Sequence, residues 1–265
     1  MMMNGSAIED FLNRTMLGIG REAVRGRLSL EAIKETLSFV TADERFVSVF
    51  LGGSYANHRA RNYSDVDVYA FVVDESIRWR RQFEVVKGIP VELNVLSISF
   101  LDQLLRHAWK TRYAAILRAL SETMILKGEK LSLSIRNRVN GILEDHAGGT
   151  QGVERLSRKL RFSLTTKLTD FHQEPESLKA HILLCSMVGD VTSLLNLVAQ
   201  GWVSNSKHMV VGINQDPSCV NLLSQFIECY TSYICGGDKD AVTDAILLII
   251  SSCGGGIWSG FEESF

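Results

Sequence analysis

The sequence lacks an excess of charge of either sign. Its 28 Lys and Arg residues nearly balance its 30 Asp and Glu residues, which leaves a net charge of −2. No long block of like charge interrupts this balance. The bulk charge therefore gives no signal for nucleic acid or a membrane surface as a partner, and we expect small-molecule or protein partners.

The chain also lacks the cysteine and histidine spacings of zinc sites and the long apolar runs of membrane proteins. Its five cysteines form no C-x-x-C pair, so we expect free thiols. The first residues include Glu9 and Asp10, where a secretory signal needs a basic and then an apolar region. The longest apolar run, residues 245–250, is too short to span a bilayer. These features predict a cytoplasmic protein without a membrane partner.

Hydrophobic periodicity divides the chain into two parts. Alternating segments typical of strands occupy residues 45–51, 65–73, 83–86 and 91–97. A helix with Ser29 as a candidate N-cap precedes them, and residues 99–122 have helical spacing. The later part reads as helices at residues 131–145, 152–171, 175–200 (with Pro175 at the start), 218–234 and 238–252, before a loose tail.

These patterns predict an α+β fold. A small mixed β-sheet of about five short strands would form a first domain over residues 1–130. An α-helical bundle would form a second domain over residues 131–265.

A glycine turn follows the first strand. Leu51 ends that strand, and Gly52 and Gly53 allow the backbone to turn sharply and approach a ligand closely. Ser54 then stands at the N-cap position of a short helix. Backbone N–H groups, a helix N-terminus and a hydroxyl in this order would suit a polyphosphate, although such a turn can also be only a turn.

Two aspartates begin the next strand. Asp65 and Asp67 alternate with Val66 and Val68, so their carboxylates project from one face while the valines pack on the other. Neighbouring like charges repel unless a cation lies between them, and Mg²⁺ prefers carboxylate oxygens. The alternative is a pair of solvent-facing aspartates on a strand, an interpretation that is less favoured because strands are depleted in aspartate.

A third carboxylate occurs on a later strand. Alternation in residues 91–97 places Glu92 and Asn94 on the face opposite Val91, Leu93 and Val95. If this strand pairs beside the one that carries the aspartates, Glu92 reaches the same pocket. Three carboxylates, two metal ions and a phosphate cradle are the parts of two-metal nucleotidyl transfer.

Together, these motifs resemble the signature of the DNA polymerase β-type nucleotidyltransferase superfamily. That signature is an hG[GS] turn, a Dh[DE]h strand about ten residues later and an acidic residue on a following strand; Leu51–Ser54, Asp65–Val68 and Glu92 match it in order and spacing. A catalytic domain followed by helices resembles the aminoglycoside and lincosamide nucleotidyltransferases in particular.

This resemblance implies an enzyme that moves a nucleoside monophosphate, AMP from ATP or another nucleotide, to a hydroxyl group, with two Mg²⁺ ions and pyrophosphate as the leaving group. Asp65, Asp67 and Glu92 would be the catalytic and metal-binding residues, with Glu92 as a metal ligand or a general base. Gly52, Gly53 and Ser54 would contact the triphosphate.

Positive charge over the triphosphate would come from the helical part. The candidates, of which we expect one to contact the triphosphate, are Lys159, Lys167, Lys179 and Lys207; taken singly, such a lysine is more often a solvated surface residue.

A small-molecule hydroxyl is the leading acceptor. We expect it in the cleft between the catalytic domain and the helical part. Acidic residues of the helical part would suit a cationic acceptor of the aminoglycoside type, although they can equally be ordinary solvated helix charges; these are Glu144, Asp145, Asp170, Glu174, Glu176 and Asp190. Two alternatives stay open: adenylylation of a protein or RNA, as in a toxin–antitoxin pair, and a catalytically silent nucleotide-binding module.

Overall fold

The computed structural model describes residues 30–60, 64–86, 89–145, 150–203 and 212–261. These residues form two compact units. The first contains the described residues up to Arg106 together with Ile116–Ile142, and the second contains His107–Ala115 and the described residues from Leu143 onward. The boundaries between the two units fall inside or beside helices. Residues 130 and 131, between which the sequence pattern places the domain boundary, both lie in the first unit.

The first unit is built on a five-stranded mixed sheet. In chain order its strands are β1 (Phe46–Leu51), β2 (Val66–Val72), β3 (Trp79–Val86), β4 (Ile89–Ser97) and β5 (Met124–Lys127). Their order in the sheet is β3-β4-β2-β1-β5. Strands β2 and β4 are parallel, whereas the other neighbouring pairs are antiparallel.

Alternating side chains explain why the central strands lie inside. Val66, Val68 and Ala70 of β2 are fully buried, and they pack with Val91 and Leu93 of β4 in the core of the first unit. Burial of these side chains stabilises the sheet at about 25 cal/mol for each Å² of apolar surface removed from water. The opposite face is therefore left for polar side chains at the start of β2.

Short helices surround this sheet. Helices α1 (Leu30–Thr36) and α2 (Ser38–Thr41) precede β1, and α3 (Gly53–Ala56) follows it. Helix α4 (Ile98–Thr111) continues directly from β4, and α5 (Ala115–Ser121) and α6 (Glu129–Glu144) flank β5. The helix predicted over residues 99–122 is thus two helices, because the chain takes a left-handed conformation at Arg112 (φ 58°).

The second unit is a helical bundle. Its helices are α7 (Thr150–Gln173), α8 (Ser177–Gln200), α9 (Pro217–Ile234) and α10 (Lys239–Ser252), and a short 3₁₀ turn, Ile213–Gln215, precedes α9. Asp216 caps α9 by accepting hydrogen bonds from the N–H groups of Ser218 and Cys219, and Asp238 caps α10. The apolar core of this unit runs through all four helices.

Helix α8 is long and apolar enough to cross a membrane by length and composition alone. Ten of its residues are buried, among them Leu184, Met187 and Leu194, which lie in the core of the second unit. The hydrophobicity of α8 is therefore accounted for by packing inside the bundle.

The prediction of an α+β fold with a small mixed sheet and a helical bundle is confirmed. Four details differ. Gly52, not Ser54, is the N-cap of α3. Strand β5 is absent from the prediction, because three apolar residues and a lysine between helices have no period that distinguishes a strand. Helix α8 begins two residues after Pro175.

The fourth difference concerns the tail predicted to be loose. The Phe261 ring stacks on that of Phe162 with centroids 4.4 Å apart, and the Ile257 N–H donates to Thr165 Oγ1 over 3.3 Å. Arg161 donates to the carbonyl oxygens of Gly254 and Gly255. The described part of the tail is therefore held along α7.

Candidate active site

Parallel pairing of β2 with β4 brings three carboxylates together. Asp67 and Glu92 are direct register partners in this pair, and Asp65, two residues before Asp67, is on the same face of the chain. One carboxylate oxygen from each of Asp65, Asp67 and Glu92 lies within 4.8 Å of the others. The expected convergence thus occurs, and it follows from the register of the two strands.

Glu92 is the most enclosed member of this carboxylate cluster. Its side chain is only 9% exposed, whereas Asp65 and Asp67 are half-buried. Arg81 of β3 donates from Nε to Oε1 over 2.6 Å and from Nη2 to Oε2 over 2.7 Å. Asn94 donates from Nδ2 to Oε1 over 2.9 Å. This bidentate ion pair offsets the cost of burying the Glu92 charge and raises the pKa of the Arg81 guanidinium.

The glycine turn lies directly against Asp67. The Gly52 N–H donates to the Asp67 carbonyl oxygen over 2.8 Å, which fixes the turn on β2. Gly53 has φ +61°, and a Cβ atom there would lie 1.7 Å from Asp67 Oδ2. Only glycine fits this position, because any side chain would occupy the space of the carboxylate. The Asp67 carboxylate therefore lies directly against the backbone of the turn.

The negative charges of this region influence the ionisation of the Tyr69 hydroxyl. It is largely buried two residues after Asp67 and is the register partner of Asn94. Burial raises the pKa of its hydroxyl, and the charges of Asp67 and Glu92 raise it further. The Tyr69 hydroxyl accordingly stays protonated and neutral at physiological pH.

Strand β3 carries exposed aromatic side chains beside Glu92. Phe83 is the register partner of Glu92 and is 64% exposed. Trp79 is 46% exposed, and its Nε1 donates to Asn94 Oδ1 over 3.1 Å. The guanidinium carbon of Arg81 lies 5.0 Å from the centre of the Phe83 ring. On the sheet, the carboxylates thus lie between this aromatic row and the glycine turn that follows β1.

The residues of the cluster fit a divalent cation. Three oxygen donors of hard, anionic character converge within a span that one or two ions can bridge. The lack of a Cβ atom at Gly53 makes room for the Asp67 carboxylate itself, whose Oδ2 would lie 1.7 Å from such an atom. Asp65, Asp67 and Glu92 are the side chains that could hold such an ion.

The predicted lysines belong to a different part of the molecule. Lys159, Lys167 and Lys179 lie on helices of the second unit, and Lys207 is outside the described residues. Lys167 Nζ lies 2.7 Å from Asp190 Oδ2, and Lys179 pairs with Glu176 one turn earlier. Their contact with a triphosphate stays a prediction, as does that of Ser54.

Sequence reasoning misses Arg81, the residue that contacts Glu92 most closely. The sequence pattern predicts a strand only from Phe83 onward. In the structure β3 begins at Trp79, and Trp79, Arg81 and Phe83 are every second residue of this strand. Alternation places Asn94 on the correct face but gives it no partner. For Arg81 the missing information is that β3 begins at Trp79, and for Asn94 it is the side-chain geometry that sets its hydrogen bond to Glu92.

Comparison with known proteins adds a distant structural likeness. No family model and no curated protein matches the sequence. A crystal structure described as a nucleotidyltransferase-like protein from Exiguobacterium sibiricum 255-15 is similar over 84% of this chain and 73% of that chain, with 12% sequence identity and a TM-score of 0.46. So distant a likeness carries no information about activity.

Proposed function

We propose that this protein is a metal-dependent nucleotidyltransferase that transfers a nucleoside monophosphate, AMP from ATP in the simplest case, to a hydroxyl group of a small molecule. The observation that carries the proposal is the convergence of Asp65, Asp67 and Glu92 within 4.8 Å. This cluster lies against a glycine turn whose backbone cannot bear a side chain.

Each group has a role in this proposal. Asp65 and Asp67 hold the divalent cations, because their carboxylates share one face and are open enough to accept ligands. The missing Cβ atom of Gly53 lets the Asp67 carboxylate lie directly against the turn, where the backbone would face the phosphate chain. Bound Mg²⁺ supplies positive charge that lowers the pKa of the acceptor hydroxyl and balances charge on the leaving pyrophosphate.

Glu92 completes the cluster on the side of the sheet toward β3. Its buried carboxylate lies next to the exposed aromatic row, so an acceptor resting on Phe83 or Trp79 presents its hydroxyl to Glu92. The triphosphate then approaches from the glycine turn, on the opposite side of the carboxylates. This arrangement favours an acceptor with a flat or apolar part over one that is only polycationic.

The test is a screen for nucleotide transfer. The protein is incubated with each nucleoside triphosphate, Mg²⁺ and acceptors that include aminoglycosides, lincosamides and planar hydroxylated compounds. We expect pyrophosphate release together with a nucleotide-sized mass gain on an acceptor of the panel. Labelling of a protein or an RNA in cell extract instead would replace the small-molecule acceptor by a macromolecule, and metal-dependent nucleotide binding without any transfer would contradict catalysis.

A further inference from the structure

We propose that Arg81 is a positioning residue that competes with a bound cation for Glu92. In the arrangement described here Arg81 holds Glu92, and binding of a divalent cation by all three carboxylates requires Arg81 to leave it. The proposal rests on the proposed function, because it takes the carboxylate cluster to be a metal site.

The first argument is that the oxygens of Glu92 are already engaged. Oε1 accepts hydrogen bonds from Arg81 and Asn94, and Oε2 accepts one from Arg81. Bidentate pairs of this kind are the strongest that a carboxylate forms with a side chain. A cation that takes an oxygen of Glu92 therefore displaces a charged donor of the same carboxylate.

The second argument is the charge of the cluster. Asp65, Asp67 and Glu92 together carry −3, and the guanidinium reduces this to −2 while it is paired. One divalent cation balances the charge that remains. Departure of Arg81 restores −3 and strengthens the attraction for a cation. Arg81 thus sets how strongly the cluster attracts metal.

The two partners also differ in exposure. The Arg81 side chain is 55% exposed on the outermost strand of the described sheet, whereas that of Glu92 is 9% exposed on β4. Asn94 donates to Glu92 independently of Arg81 and keeps the carboxylate oriented. The Phe83 ring offers the guanidinium a second favourable contact. Arg81 can therefore move away while Glu92 stays in place.

The experiment measures binding of Mn²⁺ alone, without nucleotide, by calorimetry and by electron paramagnetic resonance. We expect Arg81→Ala to bind Mn²⁺ about ten-fold more tightly than the wild type, or more, because one nearby positive charge is lost. Arg80→Ala is the matched control. It removes the same charge from the adjacent exposed residue, whose register partner is Val95, and we expect only a small change.

Two further variants separate competition for Glu92 from a general charge effect. Arg81→Lys keeps the charge but not the bidentate pair, so an intermediate gain in affinity is expected. In the Glu92→Gln background, Arg81→Ala should give little additional gain. Thermal unfolding in EDTA shows that each variant is folded, and Mn²⁺ should raise the melting temperature of Arg81→Ala more than that of the wild type.

The possible results are distinguishable. Mn²⁺ affinity of Arg81→Ala equal to or below that of Arg80→Ala would overturn the competition. A gain that persists in full in the Glu92→Gln background would also overturn it. The predicted pattern without pyrophosphate release from any nucleotide and acceptor would support the competition while contradicting the proposed function. Absence of Mn²⁺ binding in every variant would contradict both.

Discussion

Two charged side chains are buried in the described part of the chain, and each unit contains one of them: Glu92 in the first and Arg112 in the second. Glu92 is paired with a partner of opposite charge that is itself half-exposed. Arg112 is 1% exposed, and its guanidinium lies over the Trp202 ring at 4.5 Å and donates to the Asp145 carbonyl oxygen over 3.3 Å.

Glu92 and Arg112 differ in whether the group that contacts the buried charge could be replaced by another ligand. Nε and Nη2 of Arg112 have no hydrogen-bond partner within the described residues, and burial lowers the pKa of this guanidinium. Its contacts are a ring and a backbone oxygen, which cannot move to another ligand. The partner of Glu92 is an exposed side chain, which the proposed competition would let a cation replace. The buried charge thus has an exposed side-chain partner in the first unit and fixed contacts near the end of a helix in the second.

The most severe test of this contrast is Asp67→Asn. The change keeps the shape of the side chain but removes a charge on which the cluster depends, and several kcal/mol of metal-dependent stabilisation should be lost. We expect nucleotidyl transfer to fall about 100-fold or more and ATP to bind no more tightly with Mg²⁺ than without it. Pyrophosphate release and calorimetry measure these effects. Asp74→Asn, which alters an exposed aspartate on the β2–β3 loop, is the control and should have little effect.

The second prediction compares two glycines with positive φ, one in each unit. Gly53→Ala should cost about 3 kcal/mol of unfolding free energy or more, because a Cβ atom there meets Asp67 Oδ2 at 1.7 Å. Gly236 has φ +91°, and no atom lies within 4 Å of the position that a Cβ atom would take. Gly236→Ala should therefore cost only the backbone strain, about 1–2 kcal/mol. Urea unfolding measures both, and equal costs would show that contact with Asp67 is unimportant.

The third prediction concerns Arg112 itself. Arg112→Met keeps the apolar stem of the side chain over Trp202 and removes the poorly partnered charge, so stability should change by about 1 kcal/mol or less. Arg112→Ala also loses the packing and should cost about 2–4 kcal/mol. The two variants are compared by urea unfolding, with transfer activity measured in parallel. A loss for Arg112→Met as large as that for Arg112→Ala would mean that the charge is needed where it lies.

The smallest effect is expected for the thiols, all of which lie in the second unit. Burial raises the pKa of Cys219 and that of Cys253 to about 11, so few thiolates form at pH 8 and both should react slowly with a disulfide reagent. Exposed Cys185 and Cys235 should react first.

The same shifts predict how stability depends on pH. Because the folded pKa values of Cys219 and Cys253 lie above the ordinary thiol value of 9.0, the unfolded chain loses these protons first. Stability should be unaffected below about pH 9 and decline between about pH 9 and 11. Reagent kinetics and unfolding at several pH values test this, and fast reaction of all five thiols at pH 8 would contradict it.

The sequence is informative wherever a short period and chain order determine the geometry. Alternation of Asp65 and Asp67 with buried valines predicts their common face, and the position of Glu92 on a later strand predicts its approach. Arg81 is missed because the pattern begins this strand at Phe83, whereas β3 begins at Trp79 and pairs with β4 along its whole length. Residues 79–82 show no hydrophobic alternation that would extend the predicted strand.

Strand β3 carries Arg81 on the outermost position of the described sheet, and its side chains are exposed on both faces. Strands with few buried contacts open more readily than those at the centre, and their amide hydrogens exchange sooner with solvent. When β3 detaches from β4, the ion pair between Arg81 and Glu92 is lost. While β3 stays paired, the guanidinium stays close to the carboxylate cluster. Under the proposed competition for Glu92, opening of this edge is coupled to metal binding, and amide exchange along Trp79–Val86 should report which partner Glu92 holds.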